Sequence, residues 1–455
     1  MKLLSAGHVL TMNSSLDYIQ DGAVLVKGQV IQAIGKREEL LKQFPDAIHE
    51  HFPNGLLMPG LINTHCHSGL LRGTAEGLPV WDWLQQFIDP MHRVLLPEDA
   101  KLASYLCYAE ALLSGTTTIV DMWRYMDGSA EAAEDLGIRA VLVPYVAEHP
   151  DHNYFETLDS NEALIRRWHM RAEGRIQVWV GLEHLFYAED QALGRIQKMC
   201  QDYQTGFHTH SNESKFDVVE NLKRYGMRPV QTLEKLGMLD VPKCLLAHCV
   251  WLDDDEIQLL KHYHVGVAHN PISNMKLASG AAPVTQLLKQ GVAVGLGTDG
   301  EKENNNLDLF EEMKTASLLA KFSNLDAAAL DSWSVCQMAT RDGARALGLE
   351  QQIGSIEVGK QADLIVVNTA TPRMTPLINQ GILFNLHTNL VHAVQGQDVV
   401  MTMVAGKVLV KNGQLLNADL QQFIDQINFA APALFKRRSD WLSLRGTAVN
   451  ELQRT

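Results

Sequence analysis

The chain has 455 residues, of which 46% are hydrophobic and 20% charged, and its formal net charge is -14. This length exceeds one ordinary domain, and the composition is typical of a folded globular protein with a large core. The acidic balance argues against nucleic acid and membrane surfaces as partners, because both attract basic patches. Six scattered cysteines without a CxxC pair, the lack of a long apolar run and an N-terminus unlike a signal peptide favour the cytoplasm.

Short strands joined by turns are predicted at both ends of the chain. They fall at residues 9–12, 23–31, 362–367 and 399–404. Turns at Gly28 and Gly406 are hairpin signals within these regions. We predict that residues 1–55 and 355–455 form one composite β-sandwich domain. A helical segment at about 418–455 is expected to wrap this small domain or a partner subunit.

Residues 56–354 alternate short β-branched runs with amphipathic helical stretches. Such alternation is typical of βα units and a parallel sheet. Eight strands are predicted, at residues 56–65, 116–123, 138–146, 176–184, 205–212, 244–250, 264–271 and 291–300. The predicted fold class is therefore α/β, a (β/α)8 TIM barrel with the small β-sandwich domain beside it. Active sites of such barrels lie at the carboxyl ends of the strands.

Histidines and one aspartate stand at the ends of five of the eight predicted strands. They are His65 and His67, His208 and His210, His248, His269, and Asp299. Alternate residues of a strand point to the same side, so the two imidazoles of each HxH pair aim together into the barrel mouth. Neutral imidazoles with a carboxylate are preferred by one borderline divalent ion, Zn²⁺ first and Fe²⁺ second. Such an ion lowers the pKa of a bound water and generates hydroxide near neutral pH.

Two further residues at the same rim are candidates for proton transfer. Loss of an amine from a ring carbon requires a proton, because an amide-like anion leaves poorly. Glu213 stands three residues after His210, just beyond the fifth strand, where it can supply that proton. His248 is a candidate to hold or deprotonate the attacking water. Alone, Glu213 is equally compatible with a solvated first-turn carboxylate, and His248 alone is more typical of a hydrogen-bonded core histidine. Their position on one rim favours the catalytic interpretation.

Several motifs carry a family resemblance over nearly the whole chain. They are MPGLINTHCH (58–67), LLRG (70–73), SGTTT (114–118), AHC (247–249), HNP (269–271), SNMKLASG (273–280), GTDG (297–300) and GSIEVGK (354–360). With these motifs the chain resembles the amidohydrolase superfamily, and within it the triazine hydrolases and the nucleoside and nucleobase deaminases.

The resemblance implies a site with one metal ion and a small-molecule substrate. Its metal ligands would be His65, His67, His210 and Asp299. Glu213 and His248 would be the acid/base residues, with Asp299 doubling as a proton acceptor. Two-metal relatives, which include cyclic-amide hydrolases, commonly carry a carboxylated lysine at the end of strand four. That strand has no lysine here, although Glu183 could take its place as a ligand.

The closest-looking group, the methylthioadenosine/S-adenosylhomocysteine deaminases, differs at two positions that contact ribose. A glutamate of that group corresponds to His92 here, and an arginine corresponds to Pro144. Both differences favour a free heterocycle, a purine, pterin, pyrimidine or s-triazine, over a nucleoside. The residues expected to bind this substrate are His184, His92, Trp81, Trp83 and His269.

A charged segment follows the eighth strand and is expected to be a solvated loop. It contains Glu301, Lys302 and Glu303, and the alternative is that it reaches the substrate. The leading prediction for the whole chain is a metal-dependent aminohydrolase that releases ammonia. A methylthioadenosine-type nucleoside deaminase, a triazine chlorohydrolase and an inactive structural homologue are the alternatives. Relatives of this kind are usually homo-oligomers, so a dimer or tetramer is expected.

Overall fold

Two sheets organise the chain. The structure is a computed structural model that describes residues 1–74 and 76–444, apart from the side chains of residues 190 and 191. Within this described part, one sheet has eight strands drawn from both ends of the chain and the other has nine strands from the middle. The predicted α/β class, a (β/α)8 barrel with a composite sheet domain, is confirmed. No helix in the described ranges is long and apolar enough to cross a membrane.

The strands are named in chain order. They are β1 (Lys2–Leu10), β2 (Tyr18–Lys27), β3 (Val30–Lys36), β4 (Ile48–Pro59), β5 (Leu61–Cys66), β6 (Thr116–Trp123), β7 (Arg139–Pro144), β8 (Ile176–Val178), β9 (Val180–Gly181), β10 (Gly206–Ser211), β11 (Lys243–His248), β12 (Gly266–His269), β13 (Ala293–Leu296), β14 (Leu364–Asn368), β15 (Val399–Val404), β16 (Lys407–Lys411) and β17 (Gln414–Leu415).

The helices are also named in chain order. They are α1 (Arg37–Gln43), α2 (Val80–Trp83), α3 (Asp89–Val94), α4 (Pro97–Leu113), α5 (Asp127–Leu136), α6 (Leu158–Trp168), α7 (Asp190–Tyr203), α8 (Lys215–Tyr225), α9 (Pro229–Lys235), α10 (Asp254–His262), α11 (Pro271–Lys276), α12 (Val284–Gln290), α13 (Glu301–Asn304), α14 (Leu309–Asn324), α15 (Ser332–Met338), α16 (Arg341–Ala346), α17 (Leu386–His392) and α18 (Leu420–Ser443). A π-helical turn, Leu84–Ile88, connects α2 to α3.

The small sheet joins the two ends of the chain. Its strand order is β17-β16-β15-β14-β4-β1-β2-β3, and the antiparallel pair of β4 with β14 is the junction. Apolar side chains of β1, β2, β4, β14 and β15 share one buried cluster, because the sheet curls with these side chains inside. Strand β4 continues to Pro59, four residues past the predicted domain boundary at 55.

The large sheet closes into a barrel. Its order begins at β8 and ends at β9, which are the two halves of strand four on either side of Trp179. Since β8 pairs with β7 and β9 pairs with β10, the sheet has no free edge. All eight predicted barrel strands are present, the first beginning at Leu61. The short seam between β5 and β13 is reinforced by Asn63, which donates to Thr298 Oγ1 at 2.8 Å.

The C-terminal helix lies on the barrel rather than on the small sheet. Helix α18 packs against α3 and α4, and Arg437 donates to the carbonyl oxygen of Val94 at 3.1 Å and pairs with Asp99. The predicted helical segment is therefore present over Leu420–Ser443, but its position corrects the expectation that it wraps the small domain. Residues 445–455 of that segment lie outside the described residues.

A buried ion pair fastens the barrel to the small sheet. Arg139 on β7 donates from Nε to Asp363 Oδ2 at 2.8 Å and from Nη2 to Oδ1 at 3.2 Å, and both side chains are buried. Asp363 Oδ1 also accepts from the backbone N–H of Ala405 at 2.7 Å. Removal of one partner of such a pair leaves the other charge buried and uncompensated.

Arg139→Met should therefore lower the free energy of unfolding by about 3–5 kcal/mol. Chemical denaturation measures this difference. The matched control is Arg167→Met, because Arg167 forms a similar two-bond pair with Asp127 on the surface, where about 0–1 kcal/mol is expected. Equal losses in both variants would show that the Arg139 pair does not fasten the two parts.

Candidate active site

Four predicted ligands converge at the carboxyl ends of the barrel strands. His67 Nε2 lies 3.1 Å and His65 Nε2 lies 3.4 Å from Asp299 Oδ1. His210 Nε2 lies 3.3 Å from His67 Nε2. The ligand atoms of the three histidines fall within 4.8 Å of one another, and all four side chains are buried. The predicted ligand set is thus brought together as a compact His/Asp cluster.

The other ring nitrogen of each histidine is held in place. His67 Nδ1 lies 2.7 Å from the carbonyl oxygen of Met122, and His210 Nδ1 lies 2.8 Å from that of Glu183. His65 Nδ1 lies 2.8 Å from Nε2 of His208. Such outer contacts fix ring orientation and tautomer in metal sites. His65 Nε2 is fully buried and has no hydrogen bond of good geometry within the described residues, so the cluster fits a divalent metal ion.

The pKa shifts within the cluster favour the protonation states that bind a metal ion. Burial lowers the pKa of His65 to about 3 and that of His210 well below its usual value, so both imidazoles are neutral. Burial opposes ionisation of Asp299, but the neighbouring His65 and His67 side chains hold its pKa well below the usual range. The ligands are therefore already in the protonation states that a metal ion requires.

Glu213 and His248 lie beside the cluster. His248 Nε2 is 4.0 Å from Glu213 Oε1 and 3.8 Å from Asp299 Oδ2. Burial raises the pKa of Glu213 to about 7, with His248 opposing the shift. Burial opposes the charge on His248, yet Glu213 and Asp299 raise its pKa. A carboxyl group that titrates near neutral pH can both accept and donate a proton at this position.

Two residues that sequence reasoning did not single out orient this group. His248 Nδ1 lies 2.9 Å from Oδ1 of Asn274, and Ser273 Oγ donates to Asp299 Oδ2 at 2.6 Å. Both residues lie in the SNMKLASG motif at the start of α11. The motif carried the family resemblance, but its sequence did not indicate which residues these two side chains contact. The backbones of His248 and Asp299 are left-handed, with φ of 71° and 59°, a conformation that persists only where the surrounding structure enforces it.

A small cavity of about 20 Å³ lies over the cluster. Its wall contains two of the predicted substrate-binding residues, His184 and Trp83. His184 Nδ1 lies 2.6 Å from Glu183 Oε2; burial lowers the pKa of His184, but Glu183 raises it overall to about 9. Trp81 does not line the cavity. It lies behind His184 with ring centres 5.1 Å apart, and its Nε1 donates to Ser214 Oγ at 3.1 Å.

The structure does not place His92 and His269, two of the predicted substrate-binding residues, in the cavity wall. Helix α3 turns His92 into an apolar site where its ring centre lies 5.3 Å from those of Tyr145 and Phe155. Tyr145, at the end of the third barrel strand, lines the cavity instead. His269 is buried at the end of β12, close enough to His248 for that charge to add to the burial that lowers its pKa to about 3.

The segment after β13 also differs from its prediction. Instead of a solvated loop, Glu301–Asn304 form the short helix α13, and all four side chains are at most 6% exposed. Glu301 accepts from the backbone N–H of Leu71 at 2.9 Å, and Lys302 Nζ lies 3.0 Å from Glu303 Oε1. Burial, with Asp299 adding to it, raises the pKa of Glu303 above its usual value, while Lys302 opposes the shift.

Some cavity residues escaped the sequence analysis altogether. They are Tyr145, Val80, Leu84 and Leu277. Tyr145 would have been found by the same rule that found the histidines, since it follows a barrel strand directly. The others lie at the end of α11 and on the segment after β5, where no local pattern indicates which side chains face inward. Glu303 also lines the cavity, which supports the alternative that the charged segment reaches the substrate.

The raised pKa of Glu213 predicts that the free energy of unfolding depends on pH. The value of about 7 exceeds the ordinary 4.5, so the folded state binds this proton more tightly than the unfolded state does. Between pH 4.5 and 7 the charged carboxylate progressively destabilises the fold, by roughly 3 kcal/mol in total. In metal-depleted protein, Glu213→Gln should therefore gain that much free energy of unfolding relative to wild type as the pH rises from 4 to 8. A difference that does not change with pH would contradict a raised pKa.

A barrel with a buried His/Asp cluster at the carboxyl ends of its strands is typical of metal-binding hydrolases. A model described as the amidohydrolase family matches residues 56–409, and one described as an imidazolonepropionase-like composite domain of bacteria matches residues 22–47. The 5'-deoxyadenosine deaminase of Methanosarcina mazei is 38% identical over 438 residues, covering 96% of this chain and 98% of that protein.

One further relative and one crystal structure support membership of the same family. The 5-methylthioadenosine/S-adenosylhomocysteine deaminase of Syntrophomonas wolfei is 36% identical over 428 residues, covering 93% of this chain and 96% of its own length. The crystal structure of an adenosine deaminase from Xanthomonas campestris with bound zinc has a TM-score of 0.90 at 31% identity, covering 95% of this chain and 98% of that one. The chain belongs to the amidohydrolase family. It is a hydrolase that acts on C–N bonds, and its His/Asp cluster is a metal-binding cluster.

Proposed function

We propose that the protein is a hydrolytic deaminase of a small amino-substituted nitrogen heterocycle and uses one divalent metal ion. The observation that carries the proposal is Glu213, a buried carboxyl group with a pKa of about 7 beside the metal-binding cluster. A group of this kind suits a leaving group that must be protonated, because it can take a proton and return it near neutral pH.

Each residue of the cluster has a distinct task in this proposal. His65, His67, His210 and Asp299 would hold the ion, and when bound the ion lowers the pKa of water so that hydroxide forms near pH 7. Asp299 Oδ2, 3.8 Å from His248, accepts a proton from the attacking water. His248, held by Asn274, orients that water. Glu213 donates its proton to the ring nitrogen, accepts the hydroxyl proton of the tetrahedral carbon as the carbonyl forms, and passes that proton to the departing amine, which leaves as ammonia. The water proton held by Asp299 then returns to Glu213, so both carboxyl groups regain their starting states.

The residues around the cavity favour a free base as the substrate. The cavity itself holds only about 20 Å³, far less than the roughly 300–1,000 Å³ typical of small-molecule sites, so residues over it must move before a ring can enter. His92, at the position where ribose-binding relatives have a glutamate, lies outside the cavity wall. Trp83 Nε1 and His184 Nε2 are buried without hydrogen-bond partners within the described ranges. Both nitrogens can therefore form hydrogen bonds with polar atoms of a flat ring. Purines, pterins, pyrimidines and s-triazines meet these requirements.

A 5'-modified adenosine is the second candidate substrate. It is favoured by the names of relatives that share 36% and 38% identity over most of their length. The amidine carbon under attack would be the same, so the two candidates differ only in whether a sugar must fit. Movement of residues 80–84, which contribute to the cavity wall, would be required for either substrate, and a larger movement for the sugar.

Ammonia release from matched bases and nucleosides distinguishes the two candidates. Zn²⁺-loaded protein should release ammonia from at least one free base, either an aminopurine, a pterin, an aminopyrimidine or an amino-s-triazine. Its kcat/KM for that base should exceed its kcat/KM for adenosine, methylthioadenosine and 5'-deoxyadenosine. Activity confined to the nucleosides would replace the first candidate with the second. Absence of ammonia release from every compound would contradict deamination itself.

Zn²⁺ as the bound ion and a homo-oligomeric assembly, a dimer or tetramer, complete the proposal. Three histidines and one carboxylate are a ligand set that Zn²⁺ favours over harder ions. Metal analysis of the purified protein identifies the ion, and light scattering measures the number of subunits.

A further inference from the structure

Helix α13 carries a buried ion pair, of which Glu303 lines the cavity. Lys302 and Glu303 are 2% and 3% exposed, and Lys302 Nζ lies 3.0 Å from Glu303 Oε1. The ammonium group stands about 6 Å from the rings of Trp83 and Trp123, so it has an aromatic rather than an aqueous environment. A neutral Glu303 would leave that buried charge without its nearest counter-charge, so the pair is expected to be ionised.

One oxygen of this pair is left free. Glu303 Oε2 is fully buried and has no hydrogen-bond partner anywhere in residues 1–74 and 76–444. Glu303 lines the cavity, and its carboxylate lies within 4.8 Å of the ligand atoms of His67 and Asp299. A buried carboxylate oxygen without a donor is destabilising. The cavity is therefore built to receive an N–H or O–H group at this point.

Glu303 and Glu213 lie on different sides of the metal-binding cluster. Glu213 follows the fifth barrel strand and groups with His184, whereas Glu303 follows the eighth strand and groups with His67. A flat ring whose reacting carbon faces the cluster would therefore present one flank to Glu213 and the other to Glu303. In the proposed reaction Glu213 donates a proton to the ring nitrogen on one flank of the reacting carbon. The group on the other flank of that carbon can therefore contact Glu303.

We propose that Glu303 determines specificity by accepting a hydrogen bond from an N–H group of the substrate on the flank of the attacked carbon opposite Glu213. This inference rests on the proposed deaminase function. An amino leaving group supplies the required N–H, whereas chloride, alkoxy and alkylthio groups have no hydrogen to donate and bring a partial negative charge towards the carboxylate. Glu303 thus selects amines over the other leaving groups that such a site can displace.

Matched amino and chloro compounds test the proposal. The pairs are adenine with 6-chloropurine, their two ribosides, 4-aminopyrimidine with 4-chloropyrimidine, and 2-amino-s-triazine with 2-chloro-s-triazine. Wild type is compared with Glu303→Gln, which keeps the size and removes the charge. Glu301→Gln is the control, since Glu301 is equally buried on α13 but bonds the backbone of Leu71. Ammonia and chloride release are measured with loaded protein, and binding by calorimetry with metal-depleted protein.

Glu303→Gln should weaken binding and kcat/KM for the amino member of a pair by about 10- to 100-fold and leave the chloro member unchanged. Glu301→Gln should alter neither. Equal losses for both members, or no loss, would overturn the proposal. So would two metal ions per chain in wild type and one in Glu303→Gln, because Glu303 would then be a ligand.

The binding measurement separates this proposal from the proposed function. If wild type releases neither ammonia nor chloride from any compound, the deaminase function fails. A preference for binding amino members that disappears in Glu303→Gln would still support the role of Glu303. Equal binding of both members by wild type, or binding of none, would overturn it.

Discussion

Glu213→Gln should lower kcat for ammonia release by about 10²–10⁴-fold with little change in KM or metal content. The amide cannot take a proton and return it, whereas its size and most of its contacts are those of the carboxyl group. The measurement is steady-state ammonia release by wild type and variant on the best substrate of the panel. Glu220→Gln, on α8 and outside the cavity, controls for the chemical change.

Near-full turnover by Glu213→Gln would contradict the role of Glu213 as proton donor. It would also favour a leaving group such as chloride, which departs without a proton. The same variant is expected to be more stable than wild type at pH 8, since it removes a buried charge. Lost activity therefore cannot be attributed to unfolding if the stability prediction also holds.

Asp299→Asn should reduce bound metal well below one equivalent per chain and lower kcat/KM by about 10³-fold or more, because metal catalysis contributes several kcal/mol of transition-state stabilisation. The change removes the only carboxylate of the predicted ligand set while preserving the shape of the side chain. Elemental analysis of the purified variant measures the metal, and ammonia release measures the activity.

His269→Asn is the matched control for this experiment. His269 also ends a barrel strand, but it lies outside the cavity wall and outside the predicted ligand set. Metal content should therefore be unchanged. Full metal occupancy in Asp299→Asn, or loss of metal in His269→Asn, would show that the ligand set is assigned wrongly.

The barrel and the core of its site could be predicted from the sequence for a geometric reason. Parallel strands of a closed barrel end on one rim, so His65, His210 and Asp299 had to converge once the strands were identified. The HxH spacing fixed which side chains face the mouth. Glu213 followed from its position directly after a strand. None of these inferences required knowledge of how the loops pack.

The substrate side of the cavity depends on contacts between distant parts of the chain. A run of three charged residues is typical of a solvent-exposed segment. Glu301 is nevertheless buried, where it accepts a hydrogen bond from the backbone N–H of Leu71, 230 residues earlier in the chain. Lys302 and Glu303 are buried as an ion pair, in which each charge offsets part of the cost of burying the other. His92 was expected to face the substrate, but Tyr145 occupies that place. Packing of this kind leaves no local pattern in the sequence.

The central claim is that one metal ion in the His/Asp cluster supports the release of ammonia. Titration of metal-depleted protein with Zn²⁺, followed by ammonia release from the best substrate, tests it most directly. We predict that activity is absent without metal, rises in proportion to added Zn²⁺ and reaches its maximum at one equivalent per chain. Full activity in the metal-depleted protein, or a maximum at two equivalents, would contradict this account.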